Sequence, residues 1–260
     1  MATISVEYAS RNPDVNTLNI YLPKDTAKCP VFIYFHAGGL IHVDHNIGKY
    51  GFVEYLTSHG ITVVGVNYHL YPISKGNRNV KFPLFLEDAA DAVVWVIENI
   101  SQYCEPDGIY VGGSSHGAYL SAMLCFDKQW LGKHGVSPLD INGFIHDAPQ
   151  LTTHFSVLQE KGLANNRVII DESAPLFFVG TEKEYTRMLF INATNDAATR
   201  LSQTKLMVTA LRNLGHSEPK IQSTILDGNH CEYAIQSNEI FGETILAFIN
   251  STKQTKEKIS

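Results

Sequence analysis

The stretch Gly113-Ser114-Ser115-His116-Gly117 sets a serine between two glycines, after the apolar run Ile109–Val111 and at the head of the helical run His116–Phe126. A G-x-S-x-G in that context can present a nucleophile. The serine must occupy a sharp strand-to-helix turn, which crowds the positions two before and two after it. If Ser114 were the nucleophile, the second position after it would be His116, which is too large; Ser115 is flanked correctly by Gly113 and Gly117. A glycine-rich turn cradling a phosphate at a helix N-terminus is the bland alternative, but no G-K-[ST] or G-x-G-x-x-G accompanies it. Side chains adjacent at such a turn diverge, so His116 is not expected to take the Ser115 proton. Its backbone N–H is the expected first oxyanion donor. A second signal, His36-Ala37-Gly38-Gly39, follows the apolar run Val31–Phe35, where glycines let the backbone approach a substrate.

The elements that must position these groups alternate. Runs of strand type are Ile4–Tyr8, Leu18–Leu22, Val31–Phe35, Ile61–Val66, Ile109–Val111, Ile141–Ile145, Met188–Ile191 and Ile221–Leu226. Helical periods cover Tyr50–Ser58, Leu84–Asn99, His116–Phe126, Ala198–Leu214 and Glu239–Ile249. This predicts an α/β fold with a mostly parallel central sheet of about eight strands and helices on both faces. No repeat or linker divides residues 1–260, so one domain is expected. Residues 150–185 break the rhythm and are too long for a simple connection. They are read as a small cap insertion over the carboxyl ends of the strands, with an ordinary helix plus loop as the alternative.

Composition narrows the function classes. With 44% hydrophobic and 18% charged residues the chain can bury a full core. A net charge of −6 without a basic stripe argues against a nucleic-acid partner. No apolar run reaches the roughly 20 residues needed to cross a bilayer. The start, Met1–Tyr8, does not read as a signal peptide, so a cytoplasmic location is expected. Cys29, Cys104, Cys125 and Cys231 are scattered and expected to be reduced thiols.

These residues together resemble the α/β-hydrolase superfamily, near the hormone-sensitive-lipase and compact bacterial carboxylesterase branch of the esterases and lipases. The resemblance is carried by His36–Gly39, Val66-Asn67-Tyr68-His69-Leu70-Tyr71-Pro72, Asp88 with Trp95-Val96, and Gly113–Gly117, and it spans nearly the whole chain. It implies an α/β-hydrolase fold and oxyanion donors from the N–H groups of Gly38 and Gly39. Ala37 departs from the usual glycine triplet. His69 stands where arginine is usual, which implies loss of that arginine's interactions.

In this fold the partners of the serine follow in the order acid, then histidine, from loops at the carboxyl ends of later strands. Asp196 follows Met188–Ile191 and His230 follows Ile221–Leu226. Asp196 has a bland alternative as a carboxylate near a helix N-terminus. Asp227 is a rival acid that sits too near its strand to reach across. His216 is expected to be a solvated loop residue. His146 ranks below His230 as base and, with Asp147 and His154, is expected to line the substrate pocket. His42 and His45 form the densest histidine cluster but lack metal-ligand spacing, so no metal and no cofactor is expected.

The expected enzyme is a carboxylesterase-type serine hydrolase that cleaves small carboxylic esters through Ser115, His230 and Asp196 and an acyl-enzyme. The alternatives are an amidase or arylformamidase, since the same triad cleaves amides, and a non-catalytic ligand-binding homologue, since fold does not fix function. The expected partner is a small-molecule ester, with neither nucleic acid nor membrane; a homodimer stays open.

Overall fold

The computed structural model describes residues 2–38, 46–71, 80–236 and 239–257. Eight strands form one sheet: β1 (Ala2–Glu7), β2 (Thr17–Leu22), β3 (Cys29–Phe35), β4 (Thr62–Val66), β5 (Pro106–Ser114), β6 (Gly143–Asp147), β7 (Met188–Asn195) and β8 (Ile221–Asn229). Their spatial order is β1-β2-β4-β3-β5-β6-β7-β8. β2 runs antiparallel to β1 and β4, and every other pairing is parallel. The helices are α1 (Gly51–Ser58), α2 (Leu84–Asn99), α3 (His116–Phe126), α4 (Gln129–Gly132), α5 (Phe155–Glu160), α6 (Ala198–Asn213), α7 (Glu232–Ile235) and α8 (Ile240–Glu257). Among the described residues no helix is long and apolar enough to cross a membrane.

β3 is buried along its whole length, as a central parallel strand covered on both faces must be. Its side chains alternate between two cores. Val31, Ile33 and Phe35 pack with α2 and α3, whereas Phe32 and Tyr34 pack with α1 and α8. Every residue of α3 is buried, so this helix shows no polar face. Its start is set by the turn at Ser115 rather than by amphipathic patterning.

Element boundaries differ from the sequence expectation where glycines and turns intervene. β5 continues past Val111 through Gly112 and Gly113, where close packing forbids side chains: a Cβ at Gly112 would lie 2.6 Å from the Ile145 carbonyl oxygen. β6 begins two residues late because Ser137–Asp140 forms a capped 3₁₀ turn, and the Ile141 N–H bonds back to the Pro138 carbonyl. His216 is not a solvated loop residue. It is 9% exposed, with its ring against that of Tyr185.

Two polar clusters brace the layers. Asp88 on α2 is fully buried and accepts from the His69 backbone N–H (2.9 Å), His69 Nδ1 (2.6 Å) and Asn16 Nδ2 (2.9 Å). His69 thus engages Asp88 itself, and an Arg11 nitrogen lies 3.9 Å from the same carboxylate. In the stretch 150–185, Asp171 accepts from Thr153 Oγ1, Lys161 Nζ, Ser173 Oγ and the Ser173 N–H. Burial alone pushes the Asp171 carboxyl up, but these donors outweigh it and hold it well below the usual carboxylate range. The stretch contains α5 and a single 3₁₀ turn, Pro175–Phe178, and it docks on α3 through Tyr119 Oη to the Ser173 carbonyl and on α6 through Gln203.

Candidate active site

Ser115 sits between the end of β5 and the first residue of α3 with φ of 54°, a region that non-glycine residues seldom adopt. Its N–H bonds to the Asp147 carbonyl at 2.8 Å, and its own carbonyl caps α3 by accepting from Tyr119. Ala148 (φ 49°) and Cys231 (φ 55°) share the unusual backbone. Each adjoins a residue that holds the site: Ala148 follows Asp147, and Cys231 follows His230. Strain of this kind persists where surrounding bonds over-determine it, and it gathers at functional sites.

The structure brings Ser115, His230 and Asp196 together. His230 Nε2 lies 2.8 Å from Ser115 Oγ, and His230 Nδ1 lies 2.8 Å from Asp196 Oδ2. An ionised carboxylate only accepts, so Nδ1 carries the proton, and the neutral ring then offers Nε2 as acceptor to the serine hydroxyl. The Asp196 side chain is enclosed at 4% exposure, while that of His230 keeps 38%, open to an incoming substrate. Burial pushes the Asp196 carboxyl up. The bond and charge of His230, the Ala197 N–H and the Arg200 guanidinium outweigh this and hold it below its ordinary value. The rival Asp227 is turned to Thr194 Oγ1 at 2.9 Å and shapes the loop before Gly228.

Upstream, Tyr68 Oη donates to the His36 carbonyl at 2.7 Å and its ring stacks on His36. Gly38 follows with φ of 138°, a conformation closed to most side chains. The His116 N–H belongs to the first turn of α3, whose amides have no acceptor within the helix. Gly39, His42 and His45 lie outside the described residues.

The other expected pocket residues are placed differently. His146 is fully buried, bonded through Nδ1 to Ser121 Oγ and packed among Phe126, Phe144 and Phe190, as a core residue. Burial pushes its imidazole down to about 3, which leaves it neutral. Asp147 is equally enclosed and bonded to Ser114 and Tyr233. His154 caps α5 with its ring against His116, whose Nδ1 lies 3.4 Å from His154 Nε2. Burial pushes both imidazoles well below the ordinary histidine value. The contribution of Tyr34, Tyr233 and Arg200 to this region has no local sequence signature. Only the register that sets Ser114 opposite Asp147 could have pointed to it.

A cleft of about 350 Å³ is lined by Gln150, Phe155, Arg167, Val168, Ala197 and Arg200. A larger depression of about 570 Å³ is lined by Lys24, Asp25, Glu54 and Ser58, and neither it nor the smaller cleft is lined by Ser115, Asp196 or His230.

The chain is similar to known hydrolases. It is 30% identical over 117 residues to phenmedipham hydrolase of Pseudarthrobacter oxydans, covering 43% of this chain and 23% of that one. It is 33% identical over 123 residues to kynurenine formamidase of Danio rerio, covering 46% and 38%. The chain therefore spans well under half the length of the curated relatives it matches. Among solved structures, esterase B from Lactobacillus rhamnosis superposes with a TM-score of 0.75 at 18% identity, over 99% of this chain and 88% of that one. A truncated carbohydrate esterase from gut microbiota gives 0.74 at 17%, over 97% of each. At such identities the likeness concerns the fold. A model of the alpha/beta hydrolase fold family matches residues 32–213, and together with the parallel sheet and the turn at Ser115 this establishes that the chain belongs to that family.

Proposed function

We propose that this hydrolase is a carboxylesterase-type serine hydrolase in which Ser115 is the nucleophile, His230 the general base and Asp196 its orienting acid. The observation that carries the reading is the continuous chain Ser115 Oγ–His230 Nε2 and His230 Nδ1–Asp196 Oδ2, both at 2.8 Å. His230 accepts the Ser115 proton as Oγ attacks the ester carbonyl. The N–H groups of Gly38 and His116 receive the developing oxyanion. His230 then returns the proton to the departing alcohol, and a water activated by the same ring clears the acyl-enzyme. The ionised Asp196 holds the tautomer and stabilises the imidazolium. The stretch 150–185, whose longest helix has six residues, supports a small substrate over a long acyl chain.

A second reading, an amidase or arylformamidase, is supported by the similarity to proteins named kynurenine formamidase. A non-catalytic role is disfavoured by the completeness of the hydrogen-bonded chain. A fluorophosphonate probe, followed by peptide mapping, tests the chemistry: labelling confined to Ser115 is expected, and an unlabelled protein would overturn the reading. Turnover of p-nitrophenyl acetate against N-formylkynurenine then separates ester from formamide preference.

A further inference from the structure

Directly beneath the serine lies a carboxylate that the proposed chemistry does not use. Asp147 ends β6 opposite Ser114 and is fully buried. Its backbone carbonyl accepts the Ser115 N–H at 2.8 Å. Its Oδ2 accepts from Ser114 Oγ at 2.5 Å, and Ser114 Oγ in turn accepts from Tyr34 Oη at 2.8 Å. Its Oδ1 accepts from Tyr233 Oη at 2.6 Å, and the Cys231 thiol donates to the same carboxylate. Tyr233 and Cys231 belong to the segment that carries His230. No lysine or arginine pairs with Asp147 among the described residues.

An unpaired buried carboxylate is costly, and a purely structural plug here would be better made from an apolar side chain. What the carboxylate adds is a joint. Its two oxygens take donors from two elements far apart in the chain, one presenting Ser115 and the other His230. We propose that Asp147 is a positioning residue that couples the nucleophile turn to the His230 loop and holds Ser115 Oγ and His230 Nε2 in register. This rests on the roles given above to Ser115 and His230.

The joint is also electrostatic. His230 adjoins Cys231, which donates to Asp147, so the anion favours the imidazolium that forms during proton transfer, and the imidazolium favours the anion. Burial raises the Asp147 carboxyl to about 6, even with Ser114, Tyr233 and Cys231 donating to it. Tyr34 and Cys231 face it as neutral groups whose ionisation burial suppresses, and beyond Cys231 lie Arg200 and Asp196. Acidification therefore puts a proton where Ser114 or Tyr233 now donates, and the joint loosens.

The test compares kcat–pH profiles for p-nitrophenyl acetate in the full chain and in Tyr233→Phe, Ser114→Ala, the double variant and Asp147→Asn. Tyr233→Phe removes only an oxygen, so its fold should persist, which a thermal melt checks. Removing a donor makes Asp147 harder to ionise. The acidic limb should move up by about half a pH unit or more, with kcat falling about tenfold and KM moving little. The double variant should cost about as much as the worse single one, because both act through one carboxylate. The titration of the His230 ring followed by NMR needs no substrate, and its midpoint should fall in Asp147→Asn. Unchanged limbs and kcat in both single variants, fully additive losses, or an unmoved His230 titration would overturn the coupling. Failure of the esterase reading shows separately, as absent turnover and labelling of the unmodified chain with the NMR shift intact.

Discussion

The Cβ that Gly117 lacks would lie 2.0 Å from the Phe35 carbonyl oxygen, a distance no side chain can occupy. Gly113 is confined in the same way, with a Cβ there 2.6 Å from that oxygen and 2.5 Å from the Gly117 carbonyl carbon. The obstacles are backbone atoms at the end of β3, which cannot rotate aside. Gly117→Ala should therefore cost at least the 1–3 kcal/mol typical of overpacking and should remove most activity by displacing Ser115. Gly132 ends α4 with open space around its Cβ position, so Gly132→Ala should be neutral or stabilising by up to about 1 kcal/mol. Denaturant melts of the two variants check this, and equal stabilities would refute it.

The two adjacent serines should separate cleanly. Ser115→Ala is expected to cost on the order of 10⁴- to 10⁶-fold in turnover while leaving the melt unchanged. Ser114 Oγ faces Tyr34 and Asp147 rather than His230. Ser114→Ala should keep turnover within about tenfold of the unmodified chain. A dead Ser114→Ala beside a live Ser115→Ala would reverse the assignment.

Most of the architecture is legible from pattern. Leu84–Asn99 is readable to the residue because its apolar positions recur at helical spacing, and His116–Phe126 because the glycine-flanked turn sets its start. Ser115, Asp196 and His230 fall where strand order places the ends of parallel strands. What pattern does not carry is side-chain direction at those ends. His146 and Asp147 follow an apolar run just as a pocket residue would. Yet His146 is walled in by aromatic rings, and Asp147 by donors from positions 114, 231 and 233, with Tyr34 donating to Ser114 in turn. That neighbourhood exists only once β3, β5, β6 and the His230 loop converge. His216 looks solvated for the same reason, since its cover, Tyr185, is distant in sequence.

Asp147 should leave a mark on stability as well as on rate. Its folded value of about 6 lies above the model-peptide value of 3.8. A carboxyl shifted upward contributes stability that is fully present below the unfolded value and is lost as pH rises through the folded one. Between about pH 4 and pH 6 this group should therefore make the protein less stable as pH rises, by roughly 2–3 kcal/mol in all. Asp196, held below its ordinary value, acts in the opposite sense. The difference between the unmodified chain and Asp147→Asn isolates the Asp147 share: the gap in unfolding free energy should change across that window and level off above it. A constant gap from pH 4 to pH 8 would contradict the buried, ionising carboxyl.

Substrate length follows from the stretch 150–185. Its longest helix, α5, has six residues, too short for a long amphipathic lid. Across p-nitrophenyl esters from acetate to palmitate, kcat/KM should peak at short acyl chains, with no rise in rate at a lipid–water interface. A maximum at long chains with interfacial activation would refute this.

The last expectation separates the two carboxylates and the two histidines that compete for the proposed roles. A general base works only when neutral, so turnover should rise with pH along a limb that belongs to His230. His230→Ala should abolish that limb with nearly all activity. His146→Ala should leave it in place, because His146 bonds Ser121 inside the core and burial keeps it neutral throughout. Asp196→Asn should keep the fold and lower kcat by around 10⁴-fold, since an amide can donate to Nδ1 and so favour the wrong tautomer. The Asp227 carboxylate accepts from Thr194, so Asp227→Asn should cost less than about tenfold, an effect of loop shape alone. Because Asp196 is held ionised well into the acid range by His230, Ala197 and Arg200, its own protonation should not set the limb. A more damaging Asp227→Asn, or a limb removed by His146→Ala with His230 intact, would assign the acid or the base to the other residue.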